Sequence, residues 1–269
     1  MKSTQFDSSA RSQSHHYLPK CYLKRFSNEE DKLKVRKVDS DEIIHPSINN
    51  IFREKGLYDL SDWEADIDVP ADGAERMFSN TLEPIFEKQM NNKVDKDLLP
   101  NRTEAEAIAL FCFGIYVRNP SHKYRWLNLL EEDKLEKTDN SIDSFGVVTL
   151  INIVYHYSEV FSSGENIHFV RSPNEKGFIS SDKPSIPCIY KDDYKLGVID
   201  DVVAYKEILG SRWNKDYGLL CPISPKYIIM VRPTINKEGV THEMVTPVQV
   251  DQLNHILRSE AERFIVEEW

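Results

Sequence analysis

The stretch GLLCPISPKYIIMVRP, residues 218–233, decides the fold class. Two short runs rich in β-branched and aromatic residues flank a polar step, and each is too brief for an amphipathic helix. They read as two strands, with Ile223-Ser224-Pro225-Lys226 as the hairpin connection. Upstream, IHFVRS (167–172), GFISSD (177–182) and PCIY (187–190) share that texture and are bounded by Gly and Pro. Downstream, Thr246 to Glu268 places Val250, Leu253, Ile256, Leu257, Ala261, Phe264 and Ile265 on one stripe, which predicts a C-terminal helix.

Before residue 165 the periodicity is helical. Ala71 to Asn91 carries Met77, Leu82, Ile85, Phe86 and Met90 at helical spacings, with Pro84 expected to bend or restart it. Thr103 with Glu106 reads as a capping box for an apolar helix that runs to Val117 and stops at Asn119-Pro120. Lys123 to Glu136 and Phe145 to Phe161 predict two more helices. Nearer the start, Pro19 suits the first turn of a short helix, and KLKVRKV (32–38) alternates as a half-exposed strand. Residues 43–62 read as irregular, ending in the extended piece GLYDL. Residues 1–14, polar and aperiodic, predict a disordered tail. The expectation is one α+β domain over 15–269: a central helical bundle at about 71–161 packed against a small antiparallel sheet at about 165–233, with a C-terminal helix at about 246–268.

Composition narrows the function classes. The chain has 269 residues, 40% hydrophobic and 29% charged, with a net charge of −10. A chain of this mass buries about 70% of its surface, so it needs no disulfide or metal staple. Cys21, Cys112, Cys188 and Cys221 lie far apart without a CxxC, which predicts reduced cytosolic thiols rather than a zinc ribbon. No apolar run approaches the roughly 20 residues of a membrane span. MKSTQFDSSARSQSHH lacks an apolar core, so no secretory signal is expected and the predicted location is the cytoplasm. Residues 1–37 hold nine Lys or Arg against four acids, while the rest is acidic. A general nucleic-acid coat is thereby disfavoured, although a local basic pocket is compatible with the pattern.

HHYLPKCYLKRF (15–26) resembles the HHYxPxxYLxxF signature of the domain-of-unknown-function 4238 family. Further pieces follow in that family's order: NTLEP with Glu83, FGIYVRNP with Arg118 and Pro120, ISSDKPSI with Asp182 and Pro184, LCPISPKYIIM with Pro225, and LNHILRSEAERFI with Asn254 and Ala261. The similarity spans residues 15–267 and implies a bacterial, intracellular protein, leaving the chemistry open. One departure is Lys183, at a position where relatives often carry Asn.

Several of these residues suit chemistry. His15 or His16 could serve as a general base or a metal ligand; neighbours in an extended segment face opposite ways, so one of them could instead cap locally. Arg118, at the end of an apolar helix, could clamp a phosphate or carboxylate, or pair structurally with Glu83 or Asp182. Asp182, before a Lys-Pro step, suits a base or metal ligand, or an Asx-type turn. These four are the catalytic candidates, with Glu83, Lys183 and Asn254 as binding residues. His16, Glu83 and Asp182 would form a nitrogen-and-carboxylate set for Mg²⁺, Mn²⁺ or Zn²⁺. P-loop, GxGxxG, GxSxG, HExxH and zinc-deaminase patterns are absent. Two expectations follow. One is a hydrolase of the phosphodiesterase or nuclease type, acting on nucleic acid or a phosphorylated small molecule. The other is a non-catalytic ligand- or protein-binding module, or a homo-oligomer, whose polar cluster is structural.

Overall fold

The computed structural model describes residues 14–55, 57, 78–121, 166–173, 176–190, 202–204, 217–232 and 239–269. Expectations for the tail before residue 14, for 58–77 and for the helices at 123–136 and 145–161 lie outside those residues.

In chain order, β1 is Ser14–His16, α1 is Lys20–Leu23, β2 is Lys34–Lys37, β3 is Ile43–Ile44 and β4 is Arg53–Lys55. A wide turn, Phe78–Leu82, leads into α2, Glu83–Asn92, and α3 follows at Arg102–Val117. Then come β5 (Asn166–Arg171), β6 (Ser180–Ser181), β7 (Ile186–Tyr190), β8 (Val202–Ala204), β9 (Tyr217–Ser224), β10 (Tyr227–Arg232) and β11 (Val240–Met244). The chain closes with α4, Pro247–Glu260, and β12, Phe264–Glu267.

The hairpin at 224–227 forms as expected: Tyr227 pairs with Ser224, and a register shift follows at Ile228, which pairs with Pro222. Around it grows a sheet of six strands in the order β11-β5-β10-β9-β7-β8. Its pairs are antiparallel except β11 with β5, which is parallel. A second sheet, β3-β2-β12-β6, has four strands, and β1 pairs with β4 as a third.

Alternation along β5, β9 and β10 assigns each residue to a face. Ile167, Phe169, Leu219, Cys221, Ile229 and Val231 join the core that includes α2, α3 and the N-terminal segment. Val170, Leu220, Ile228 and Met230 join a second core with Val250, Leu253 and Leu257 of α4. A sheet covered on both faces needs apolar residues at successive positions, which is why YIIMVR reads as an unbroken run.

This arrangement corrects the expected architecture. The protein is α+β, but the sheets are its centre, they are not small, and the described helices lie on opposite faces of the largest sheet rather than in a central bundle. Parallel β11 also makes that sheet mixed.

Local chemistry explains the boundaries. Pro84 sits in the first turn of α2, so it restarts the helix after the wide turn, where its missing N–H is harmless. α3 is capped by a reciprocal box between Asn101 and Glu104, not Thr103 and Glu106; Glu106 instead pairs with Arg102. α4 begins with a second box, Thr246 with Gln249. It ends at Glu260, short of the expected 268, because Ala261 turns extended (φ −65°, ψ 135°). Phe264–Glu267 then pairs with β2 on one side and β6 on the other.

Candidate functional site

The apolar end of α3 carries Arg118 into the core, where its side chain is 1% exposed. One guanidinium nitrogen, Nη1, donates to Glu83 Oε1 at 3.1 Å, and Nη2 donates to the His16 carbonyl at 2.7 Å. The guanidinium carbon lies 4.4 Å from the Phe78 ring centroid, so an aromatic face completes the enclosure of the cation. Glu83 opens α2, where a carboxylate complements the helix dipole. Its other oxygen lies 4.0 Å from the Cys21 thiol, which burial pushes up.

Asp182 follows β6 and is 2% exposed. Its Oδ1 accepts from the Glu262 amide at 3.1 Å and its Oδ2 from the Arg263 amide at 2.9 Å. Burial raises its pKa, while those two amides and the Arg263 charge oppose the rise. The Asp182 carbonyl accepts from Asn119 Nδ2 at 2.8 Å. Arg263 Nη2 in turn donates to the Tyr17 hydroxyl at 2.9 Å.

These bonds close a circuit. From the adjacent pair His16-Tyr17 it passes through Arg263 to Asp182, then through Asn119 to its neighbour Arg118, and back to the His16 carbonyl. The HHYLP, NTLEP, RNP, SDKP and AERF pieces thus meet in one polar knot. The structure joins His16, Arg118, Glu83 and Asp182, and adds Tyr17, Asn119 and Arg263, which the sequence reading did not single out. Tyr17 and Asn119 stand beside His16 and Arg118 in the chain, and Arg263 lies within the LNHILRSEAERFI piece.

His16 is held by Nε2 against the Ile48 carbonyl at 3.1 Å. Burial, with the positive charges of Arg53, Lys20 and Arg118, lowers its pKa from 6.5 to about 4. An imidazole so depressed is a poor base near neutral pH. His15 lies outside the circuit, in register with Glu54 of β4. Lys183 pairs with Glu262 at the knot's margin. Asn254 sits apart, clasping the segment before β6: it accepts from the Ile179 amide at 3.0 Å and donates to the Gly177 carbonyl at 3.0 Å. Among the described residues no three His, Cys, Asp or Glu side chains are grouped to hold a metal ion. His16 and Glu83 approach Arg118 through a main-chain carbonyl and a carboxylate, and the Asp182 oxygens face backbone amides, so the three do not form the expected ligand set.

A concave surface lies elsewhere. Asp97, in a left-handed conformation (φ 56°), takes bonds from the Tyr227 hydroxyl at 2.6 Å, Lys226 Nζ at 2.7 Å and Arg171 Nη2 at 3.1 Å. This pins the loop after α2 to the sheet beside a shallow open cleft lined by Leu98, Leu99, Pro100, Phe169, Tyr227 and His242. Leu98 and Leu99 are 52% and 48% exposed.

The fold and the knot define a class: an α+β protein in which separated sequence motifs are tied into one buried polar circuit. The chain belongs to the family described as "Protein of unknown function (DUF4238)", whose model matches residues 14–268. No curated protein and no solved structure matches it. No helix among the described residues is long and apolar enough to cross a membrane.

Proposed function

We propose that this protein is a non-catalytic binding module of the cytoplasm, in which the motif residues lock the fold and do no chemistry. The observation that carries this reading is the commitment of the knot's charged groups: both Nη atoms of Arg118 and both oxygens of Asp182 are bonded within the chain. A phosphodiester hydrolase built on these residues would need Arg118 to reach a phosphate and Asp182 to reach a metal or water. Either step requires breaking a buried hydrogen bond to a charged group, which costs about 1.5–3 kcal/mol. The neutral, weakly basic His16 points the same way. Four free thiols agree with a reducing compartment. The exposed Leu98 and Leu99 at the cleft favour contact with a partner rather than with water alone.

The test is a turnover assay of the full chain. Bis(p-nitrophenyl) phosphate, single-stranded DNA and plasmid DNA would each be offered with Mg²⁺, Mn²⁺ or Zn²⁺, using wild type and His16→Gln. The expected result is no hydrolysis above buffer for either protein. Turnover by wild type that vanishes in a His16→Gln variant of unchanged melting temperature would establish the hydrolase instead.

A further inference from the structure

The sheet face beneath α4 changes character along its length. Under the helix it is apolar, with Val170, Ile228, Met230 and Leu220 packed against Val250, Leu253 and Leu257. Towards the start of β5 it becomes polar. Asn166 lies opposite Arg232, His168 opposite Met230, and Thr241 of β11 opposite His168 on the other side. Residues opposite one another share a face, as do alternate residues of one strand. Asn166, His168, Arg232 and Thr241 therefore form one patch across three neighbouring strands.

Three of the four are buried: Asn166 is 5% exposed, His168 9% and Arg232 4%. The Thr241 hydroxyl meets His168 Nδ1 and fixes the ring. Burial and the nearby Arg232 charge keep that imidazole neutral. Asn166 Oδ1 is buried without a hydrogen-bond donor, a situation that costs about 1–3 kcal/mol. A sheet interior built only for stability would carry apolar residues here, as β5 and β10 do on this face at Val170, Ile228 and Met230.

We propose that this end of the sheet binds a small oxyanion that carries its own proton donor, such as a hydrogen phosphate group or a hydroxycarboxylate. A permanently charged guanidinium, an amide and a neutral imidazole on paired strands are a rigid set for an oxyanion. Asn166 Oδ1 adds a demand that a bare anion cannot meet, because it accepts and does not donate. The inference rests on the binding-module reading and names the ligand class.

The experiment is calorimetric titration of the full chain with four probes: inorganic phosphate, sulfate, glycolate and acetate. Sulfate matches phosphate in shape but has no proton at neutral pH, and acetate lacks the hydroxyl of glycolate. The expected result is one bound phosphate or glycolate per chain, with its donor-free counterpart weaker by about tenfold, the worth of one hydrogen bond. Binding of phosphate alone assigns a phosphate group, and binding of glycolate alone assigns a hydroxycarboxylate. Asn166→Leu should erase the preference within each pair, because the acceptor that reads the proton donor is gone. Equal binding within each pair, or no heat from any probe, overturns the proposal. That failure would be separate from failure of the binding-module reading, which the turnover assay decides.

Discussion

Replacing Arg118 by Met is the sharpest perturbation of the knot. The substitution removes the described hydrogen bonds of a 1% exposed guanidinium to Glu83 and the His16 carbonyl, and leaves that carboxylate and carbonyl behind. Removing one partner of a buried ion pair costs about 3–5 kcal/mol. Glu83 keeps 19% of its side-chain exposure, so water relieves part of the stranded charge and the lower half of that range applies. At about 2 °C per kcal/mol for a chain of this size, the melting temperature should fall by about 6–8 °C. Thermal and urea unfolding followed by circular dichroism would measure it. Arg118→Lys keeps the charge but not the two-pronged geometry, and should fall between wild type and Met. Adding Glu83→Met to Arg118→Met should recover part of the loss, because no orphaned carboxylate remains. If Arg118→Met melts within about 2 °C of wild type, the guanidinium is not holding the fold and the structural reading of the knot is wrong.

Asp182→Asn presents one acceptor and one donor to two amide donors, and should cost about 2–3 kcal/mol. It should also alter the acid limb of the stability profile. With burial raising the native pKa above 3.8, the folded protein binds more protons than the unfolded chain, so the contribution of Asp182 is complete below pH 3.8 and lost as pH rises through the raised value. Urea unfolding across the acidic range would show this feature in wild type and not in the variant; its persistence in Asp182→Asn would assign it to another group. His16 and His168 act with the opposite sign. Both are lowered from 6.5 to about 4 by burial, so their contribution is present above pH 6.5 and lost as pH falls towards 4. Imidazole NMR titration checks it, and midpoints near 6.5 would contradict the burial described. Asn254→Ala strands the Ile179 amide and the Gly177 carbonyl, and should cost about 2–4 kcal/mol. Hydrogen exchange at Ile179 should quicken, and an unchanged rate would show that the clasp is not what protects that amide.

Some of this was legible along the chain because it depends on neighbours in sequence. The β9–β10 hairpin needs only two apolar runs and a two-residue turn. The stop of α3 before Asn119-Pro120 needs only the steric rule for residues preceding proline. The end of α4 was not legible. Phe264 and Ile265 continue the helical stripe, yet the carboxylate of Asp182, eighty residues earlier, takes the Glu262 and Arg263 amides and β12 goes into a sheet. Apolar spacing cannot tell a stripe that continues from one that stops by coincidence.

The candidate site divides in the same way. Residue types together with the family resemblance singled out His16, Glu83, Arg118 and Asp182, and Arg118 as a group that must find a partner if buried. They also left Arg118 open between an anion clamp and a structural pair, because a guanidinium serves either use. Tertiary contact decided which partners they have: Arg118 meets Glu83 and a main-chain carbonyl, and Asp182 meets two amides and the Arg263 side chain. The polar patch around Asn166 and His168 was equally hidden, because its members come from three strands whose register no single segment encodes. Local sequence determines turns, caps and which residues cannot be left alone in a core. Partnership between residues far apart in the chain is set by packing, which forms only when the whole sheet does.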